Sequence, residues 1–175
     1  KDAAAIACVY PEDVLGSEQF KACLDVTGLF LAAGLPVAEV FAHDDENLII
    51  VHEDFGDVIL REVLASVSSE DRERYLDDSI RLIARIQAAT ALAFERHSVA
   101  SQLRFDSEKL IWELDFFKTH YFKTLRGRPL SEGDSDALSA EFATLAGELE
   151  SHARVLTHRD FHAANIMLTP AGLRI

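Results

Sequence analysis

A two-lobed α+β fold is the expectation for these 175 residues. Three observations predict it. Short apolar runs rich in β-branched residues cluster before residue 55. Beyond Gly56, apolar residues recur at spacings of three and four, the mark of amphipathic helices. Near Ile175, short strand-like pieces flank a polar loop that carries ionisable side chains at fixed intervals.

In chain order, Ala3–Tyr10 reads as a buried strand ended by Pro11. Ser17–Ala33 reads as a helix with Phe20, Leu24, Thr27 and Leu31 on one face, stopped by Gly34 and Pro36. Val37–Ala42 is a short strand, residues 43–47 a polar turn, and Leu48–Val51 a buried strand. Val58–Ala65 begins the helical part. Ser68, with Asp71 three residues on, can cap a helix that buries Leu76, Ile80, Ile83 and Gln87. Asp106 can cap another, with Leu110, Leu114, Phe117 and Tyr121 inward. Gly127–Gly133 is a connector, and Leu138, Phe142, Leu145 and Leu149 mark the last helix. Val155–Thr157, Ile166–Leu168 and Leu173–Ile175 are strand-like. The partial N-terminal lobe is expected at 1–55 and the partial helical lobe at 56–175.

Composition narrows the function. A net charge of −13 argues against nucleic acid as a partner, because neutralising phosphates takes Lys and Arg. No run reaches the roughly 18 apolar residues of a membrane span. No leader with a cleavage site follows Lys1. Cys8 and Cys23 sit in apolar surroundings and read as buried free thiols, which fits a reducing, cytoplasmic location.

The segment His158-Arg159-Asp160-Phe161-His162-Ala163-Ala164-Asn165 carries the chemistry. An aspartate is followed five residues later by an asparagine, then by an apolar strand. Phosphoryl transfer needs a carboxylate to receive or orient the proton of the attacking hydroxyl, and oxygen ligands for a magnesium ion on the phosphate chain. Asp160 suits the first role and Asn165 the second. His158 is expected behind the loop, fixing its backbone. His158 and His162 are four apart, a zinc spacing on a helix, but Arg159 stands where a zincin needs Glu.

This H-x-D-x-x-x-x-N pattern resembles the aminoglycoside phosphotransferase and choline kinase superfamily, a branch of the protein-kinase-like fold. Loops there often carry a second histidine where His162 stands. Glu53-Asp54-Phe55-Gly56-Asp57, Ala32–Val37 and Trp112–Phe117 are similar to the bacterial branch that phosphorylates the anomeric hydroxyl of N-acetylmuramate and N-acetylglucosamine. The resemblance runs across nearly the whole chain. It implies an ATP-dependent kinase acting on a small-molecule hydroxyl, an amino sugar first, with ATP and Mg2+ as cofactors. Backbone groups of Glu53, Asp54 and Phe55 would bind adenine. Asp57 would approach the ribose or the substrate cleft, or cap the helix from Val58. His162, Glu113 and Asp115 would face the substrate, although a solvated helix face explains the last two more simply. Trp112 reads as core.

The pattern is expected to be truncated at both ends. No Gly-rich loop precedes Lys1, and Ala4–Tyr10 has no phosphate-contacting lysine; Glu18, without one to partner, reads as a surface residue. A second metal-binding aspartate would fall beyond Ile175. The expectation is a fragment with little activity. Two rivals stand beside the sugar kinase: a kinase for aminoglycosides, choline or homoserine, and a nucleotide-binding pseudokinase.

Overall fold

The computed structural model describes residues 4–152 and 154–175. Lys1 and Ala3, which entered the readings above, lie outside them. The α+β class is the one found. The chain divides into two compact units, one made of residues up to Gln102 together with Val155–Ile175, the other of Leu103–Arg154.

The first unit opens with a three-stranded antiparallel sheet in the order β1-β3-β2, from β1 (Ala5–Val9), β2 (Val40–Asp44) and β3 (Ile49–Glu53). Ala7 stands opposite Val51, and Cys8 opposite Ile50. Strand alternation then puts Cys8, Ile50 and His52 on one face. Helix α1 (Val14–Ala32) covers that face: Phe20 meets Tyr10 edge-on at 5.9 Å, and the Cys23 Sγ lies 4.0 Å from the His52 ring. Ile50 is fully buried there. The other face, with Ala5, Ala7 and Val9, is exposed, so β1 is not the buried strand expected from its apolar run. It is an edge strand packed on one side only. Both cysteines are free and half-buried.

Helix α1 begins before the expected Ser17 because Asp13 caps it; the carboxylate accepts from the Gly16 N–H at 2.7 Å. Its inner face is Phe20, Leu29 and Phe30, while Leu31 is exposed. Glu18 is exposed as well, in keeping with a surface residue. The helix ends at Gly34, in the left-handed region (φ 68°). The Leu35 N–H reaches back to Phe30 O and the Gly34 N–H to Leu31 O, both at 2.9 Å, satisfying the last carbonyls of the helix.

Helices α2 (Leu60–Leu64), α3 (Ser69–Ala88), α4 (Thr90–Glu95) and α5 (Val99–Gln102) follow. Ser68 caps α3 as expected, accepting from the Asp71 N–H at 3.1 Å and donating to its carboxylate at 2.9 Å. The stripe predicted for α3 is the wrong one. Leu82 and Ile86 are buried with Tyr75 and Ser79 half-covered, whereas Leu76, Ile80 and Ile83 are 48%, 63% and 39% exposed. Both stripes obey the helical period. The inner one contains a serine, whose hydroxyl is satisfied by the Tyr75 carbonyl at 2.8 Å, so it ranked lower by hydrophobicity.

The buried stripe of α3 joins two apolar clusters. Ile86 packs with Leu29, Phe30, Leu35 and Ala93; Leu82 packs with Leu60, Ile166 and Leu173. Phe161 and Ile175 touch both clusters. Ser98 is fully buried, and its hydroxyl donates to Asp25 of α1 at 2.6 Å. Strands β4 (Met167–Thr169) and β5 (Gly172–Arg174) form a separate hairpin. Val155–Thr157 is not a strand, because Leu156 gives its N–H to the Thr90 hydroxyl at 2.8 Å rather than to a neighbouring strand.

The second unit consists of α6 (Ser107–Lys118), a π-helical continuation (Thr119–Leu125) and α7 (Glu132–His152). Asp106 caps α6 by accepting from the Lys109 N–H at 2.9 Å. Leu110 and Leu114 turn inward as expected. Phe117 and Tyr121 are exposed instead, because the half-covered positions continue at a spacing of four, through Lys118 and Phe122. In α7 the buried positions are Phe142 and Ala146, with Leu145 and Leu149 outward. The two helices are tied by Lys118 to Ser139 at 2.7 Å and by Ser107 N–H to Glu150 at 3.1 Å. Among the described residues, no helix is long and apolar enough to cross a membrane.

Candidate active site

The loop from His158 to Asn165 is pinned at its middle and just past its end by apolar anchors. Phe161 is fixed between the two clusters, and Ile166 is buried 2% exposed immediately after the loop. With those side chains held inside, Asp160 and His162 on either side of Phe161, and Asn165 before Ile166, are exposed. Arg159 lies in the left-handed region (φ 71°), which for a residue with a Cβ costs about 1 kcal/mol or more. The chain bends at Arg159 and Asp160. Nothing in the sequence announced it, because glycine is the residue that usually marks such a position.

Asp160 is the centre of the loop's hydrogen bonding. Its side chain is 71% exposed, yet both carboxylate oxygens have partners. The Asn165 amide donates to Oδ2 at 2.6 Å and also to the Asp160 main-chain carbonyl at 3.1 Å. His162 Nε2 lies 3.2 Å from Oδ1. The His162 Nδ1 accepts from the Ala164 N–H at 3.2 Å, and the Asn165 N–H donates to His162 O at 2.8 Å, which closes a short 3-10 turn over Ala163–Asn165. Sequence spacing placed Asp160 and Asn165 in one loop; the structure brings His162 onto the same carboxylate.

His158 lies behind this group. Its ring meets Phe161 edge-on at 5.7 Å. Its buried Nδ1 has no hydrogen-bond partner among the described residues. Burial pushes the His158 pKa below its ordinary value; the Asp160 charge pulls it up and His162 pushes it further down.

The segment Glu53–Asp57 leaves the sheet at the end of β3. The Glu53 N–H donates to Glu39 O at 2.8 Å and the Asp54 N–H to Ala4 O at 3.1 Å, so both are committed to the sheet. The Asp54 carboxylate accepts from the Gly56 N–H at 2.7 Å, and Gly56 takes a positive φ of 80° to close that turn. Asp57 is exposed and caps nothing. Helix α2 starts at Leu60 with Ile59 before it and no side-chain cap.

Backbone bonds join this segment to the loop. The Leu60 N–H donates to Ile166 O and the Leu168 N–H to Val58 O, each at 2.8 Å, around a bridge between Ile59 and Met167. Arg174 of β5 places its guanidinium 5.3 Å from the centroid of the Phe55 ring. That contact was not foreseen. It joins residues distant in sequence through a hairpin whose register the sequence does not specify. The exposed sheet face and the segment 53–57 therefore belong to the same compact unit as Asp160 and Asn165.

Glu113 and Asp115 lie on α6, in the other unit. Glu113 pairs with Lys109 at 3.1 Å and Asp115 with Lys118 at 3.2 Å, one turn away on the same helix. Trp112, expected in the core, is 57% exposed; the Lys109 ammonium sits 3.9 Å from its ring centroid. Trp112 thus presents its ring to the ammonium of its helix neighbour, with much of its indole in solvent.

Two groups of donors differ in what they fit. Among the described residues, no set of three or more His, Cys, Asp or Glu side chains is placed to hold a metal ion. Asn165 has its amide nitrogen committed to Asp160, which turns its carbonyl oxygen away as an open, hard acceptor. That chemistry fits a cation which takes one or two protein oxygens and completes its shell with phosphate and water.

A family model described as the phosphotransferase enzyme family, APH, matches residues 3–175. A search of curated proteins found no match.

Proposed function

The chain belongs to the phosphotransferase enzyme family, and on that premise we propose that it transfers the terminal phosphoryl group of ATP to a hydroxyl of a small molecule, an amino sugar of the N-acetylmuramate or N-acetylglucosamine type. The observation that carries the reading is the Asp160 carboxylate. It is exposed to an acceptor, held by two donors of its own loop, and bonded through the following strand to the segment 58–60. Asp160 takes the proton of the attacking hydroxyl; each of its oxygens keeps a lone pair for that purpose. His158 supports the loop by packing on Phe161.

Nucleotide binding is assigned to the hinge Glu53–Phe55 and the open sheet face beside it. The N–H groups of Glu53 and Asp54 are engaged, which leaves the Phe55 N–H as the hinge donor open to adenine. Side-chain identity counts for little in such contacts, whereas Asp57, exposed just beyond, can reach the ribose. Mg2+ would be held by the Asn165 carbonyl oxygen with phosphate oxygens, and it supplies neutralisation of the charge that grows on the phosphate chain. Glu113 and Asp115 are assigned to the acceptor side, where carboxylates suit sugar hydroxyls. In this reading the N-lobe covers 1–55 and the C-lobe 56–175, in a cytoplasmic enzyme.

The test is phosphoryl transfer from radiolabelled ATP with Mg2+ to a panel of N-acetylmuramate, N-acetylglucosamine, an aminoglycoside, choline and homoserine. Labelling of either amino sugar above the others is the expected result. Labelling of choline alone would replace the substrate while keeping the reaction. ATP binding with no labelled acceptor would favour a pseudokinase.

A further inference from the structure

We propose that His162 is a positioning residue for Asp160 and does not itself hold the acceptor, an inference that rests on Asp160 being the group that receives the acceptor's proton. An exposed aspartate is free to rotate about its side-chain bonds. Here one donor fixes each oxygen: Asn165 Nδ2 on Oδ2 at 2.6 Å and His162 Nε2 on Oδ1 at 3.2 Å. The imidazole is oriented in turn by the backbone. The Ala164 N–H donates to Nδ1 at 3.2 Å, and His162 caps the 3-10 turn that ends at Asn165.

This bonding decides the tautomer. A ring nitrogen that accepts from a backbone N–H carries no proton, so in the neutral ring the proton is on Nε2, aimed at Asp160. Both ring nitrogens are then engaged, and neither is left for an acceptor hydroxyl. His162 and Asn165 also share a backbone bond at 2.8 Å, so the two donors move as one piece. Misplacing a reacting group by about 1 Å can lower a rate about 100-fold. The predicted signature of losing His162 is therefore a fall in kcat.

The experiment has two readouts on the full chain. First, imidazole 15N spectra of histidine-labelled protein should show His162 as the Nε2–H tautomer, with its Nε2 resonance displaced in Asp160→Ala. An Nδ1–H tautomer, or a resonance indifferent to Asp160→Ala, overturns the contact. Second, kinetics with ATP and the acceptor that turns over are compared for three variants. His162→Ala should lower kcat about 10- to 100-fold with the acceptor KM within about twofold. His162→Gln, which can set an amide N–H near the Nε2 position, should recover most of it, and His162→Asn, which is too short, should not. A raised acceptor KM at unchanged kcat overturns the inference in favour of direct acceptor binding. If His162→Ala keeps full activity while Asp160→Ala is inactive, the inference alone fails. If Asp160→Ala also keeps full activity, the role assigned to Asp160 fails, and the inference with it.

Discussion

The Asn165 side-chain amide donates to Asp160 twice, to the carboxylate at 2.6 Å and to the main-chain carbonyl at 3.1 Å. An amide is required there because it offers a donor on one side and an acceptor on the other. Asn165→Asp sets two carboxylates in contact, and both cannot stay ionised without a penalty. Asn165→Ala only removes exposed hydrogen bonds, about 0.5–1.5 kcal/mol. Denaturant titration at pH 7 should find Asn165→Asp the less stable of the two. The gap should narrow as the pH is lowered, because a shared proton relieves the repulsion between the two carboxylates.

Asp160→Ala should lower phosphoryl transfer by about 10²–10⁴ while nucleotide affinity stays within about threefold. Affinity is read with a fluorescent nucleotide and turnover with the labelled-ATP assay. Unchanged turnover would remove Asp160 from the chemistry.

Two histidines make stability fall in mild acid. Burial lowers the pKa of His52, packed between the sheet and α1, and also that of His158, below the ordinary 6.5. In the window just under 6.5 the unfolded chain therefore binds more protons than the folded one, and stability rises with pH through that window. It is fully present above about pH 6.5 and is lost as the pH falls towards the lowered values of the folded state. Urea midpoints measured from pH 7.5 down to 5 should drop. His52→Asn with His158→Asn should flatten the slope, even if both variants start from lower midpoints.

Gly16 has no room for a side chain. A Cβ there would lie 2.0 Å from the Pro11 carbonyl oxygen, and backbone cannot swing away as a side chain would. Gly16→Ala should destabilise the fold by about 1–3 kcal/mol through displacement of the first turn of α1. Gly28→Ala, on the same helix with nothing within 4 Å of the added carbon, should be neutral or stabilising. Chemical denaturation of the two variants side by side checks the contrast.

Local signals were legible in the sequence, and relations between distant segments were not. Ser68 and Asp106 were identifiable as caps because a cap is satisfied within three residues. Asp160 and Asn165 were identifiable because they lie five positions apart in one loop. The face of α3 was misread, since what covers a helix is decided by residues such as Leu60, Ile166 and Leu173 that arrive from elsewhere in the chain. Asp57 was weighed as a cap, but the chain passes through the Ile59–Met167 bridge before α2 begins. The stacking of Arg174 on Phe55 and the left-handed turn at Arg159 had no marker in residue type at all.

The bonds from Leu60 to Ile166 and from Leu168 to Val58 have a kinetic consequence. They close a loop containing most of the helices, and loop closure is unfavourable until the contacts it permits are made. Helix α3 and the β2–β3 pair need only near neighbours and form early in refolding. The hinge-to-loop bridge forms late, and Asp160 acquires its final surroundings only then. Pulse-labelled hydrogen exchange should accordingly find the Leu60 and Leu168 amides protected after those of α3. A chain halted part-way would carry much of its secondary structure and none of its chemistry.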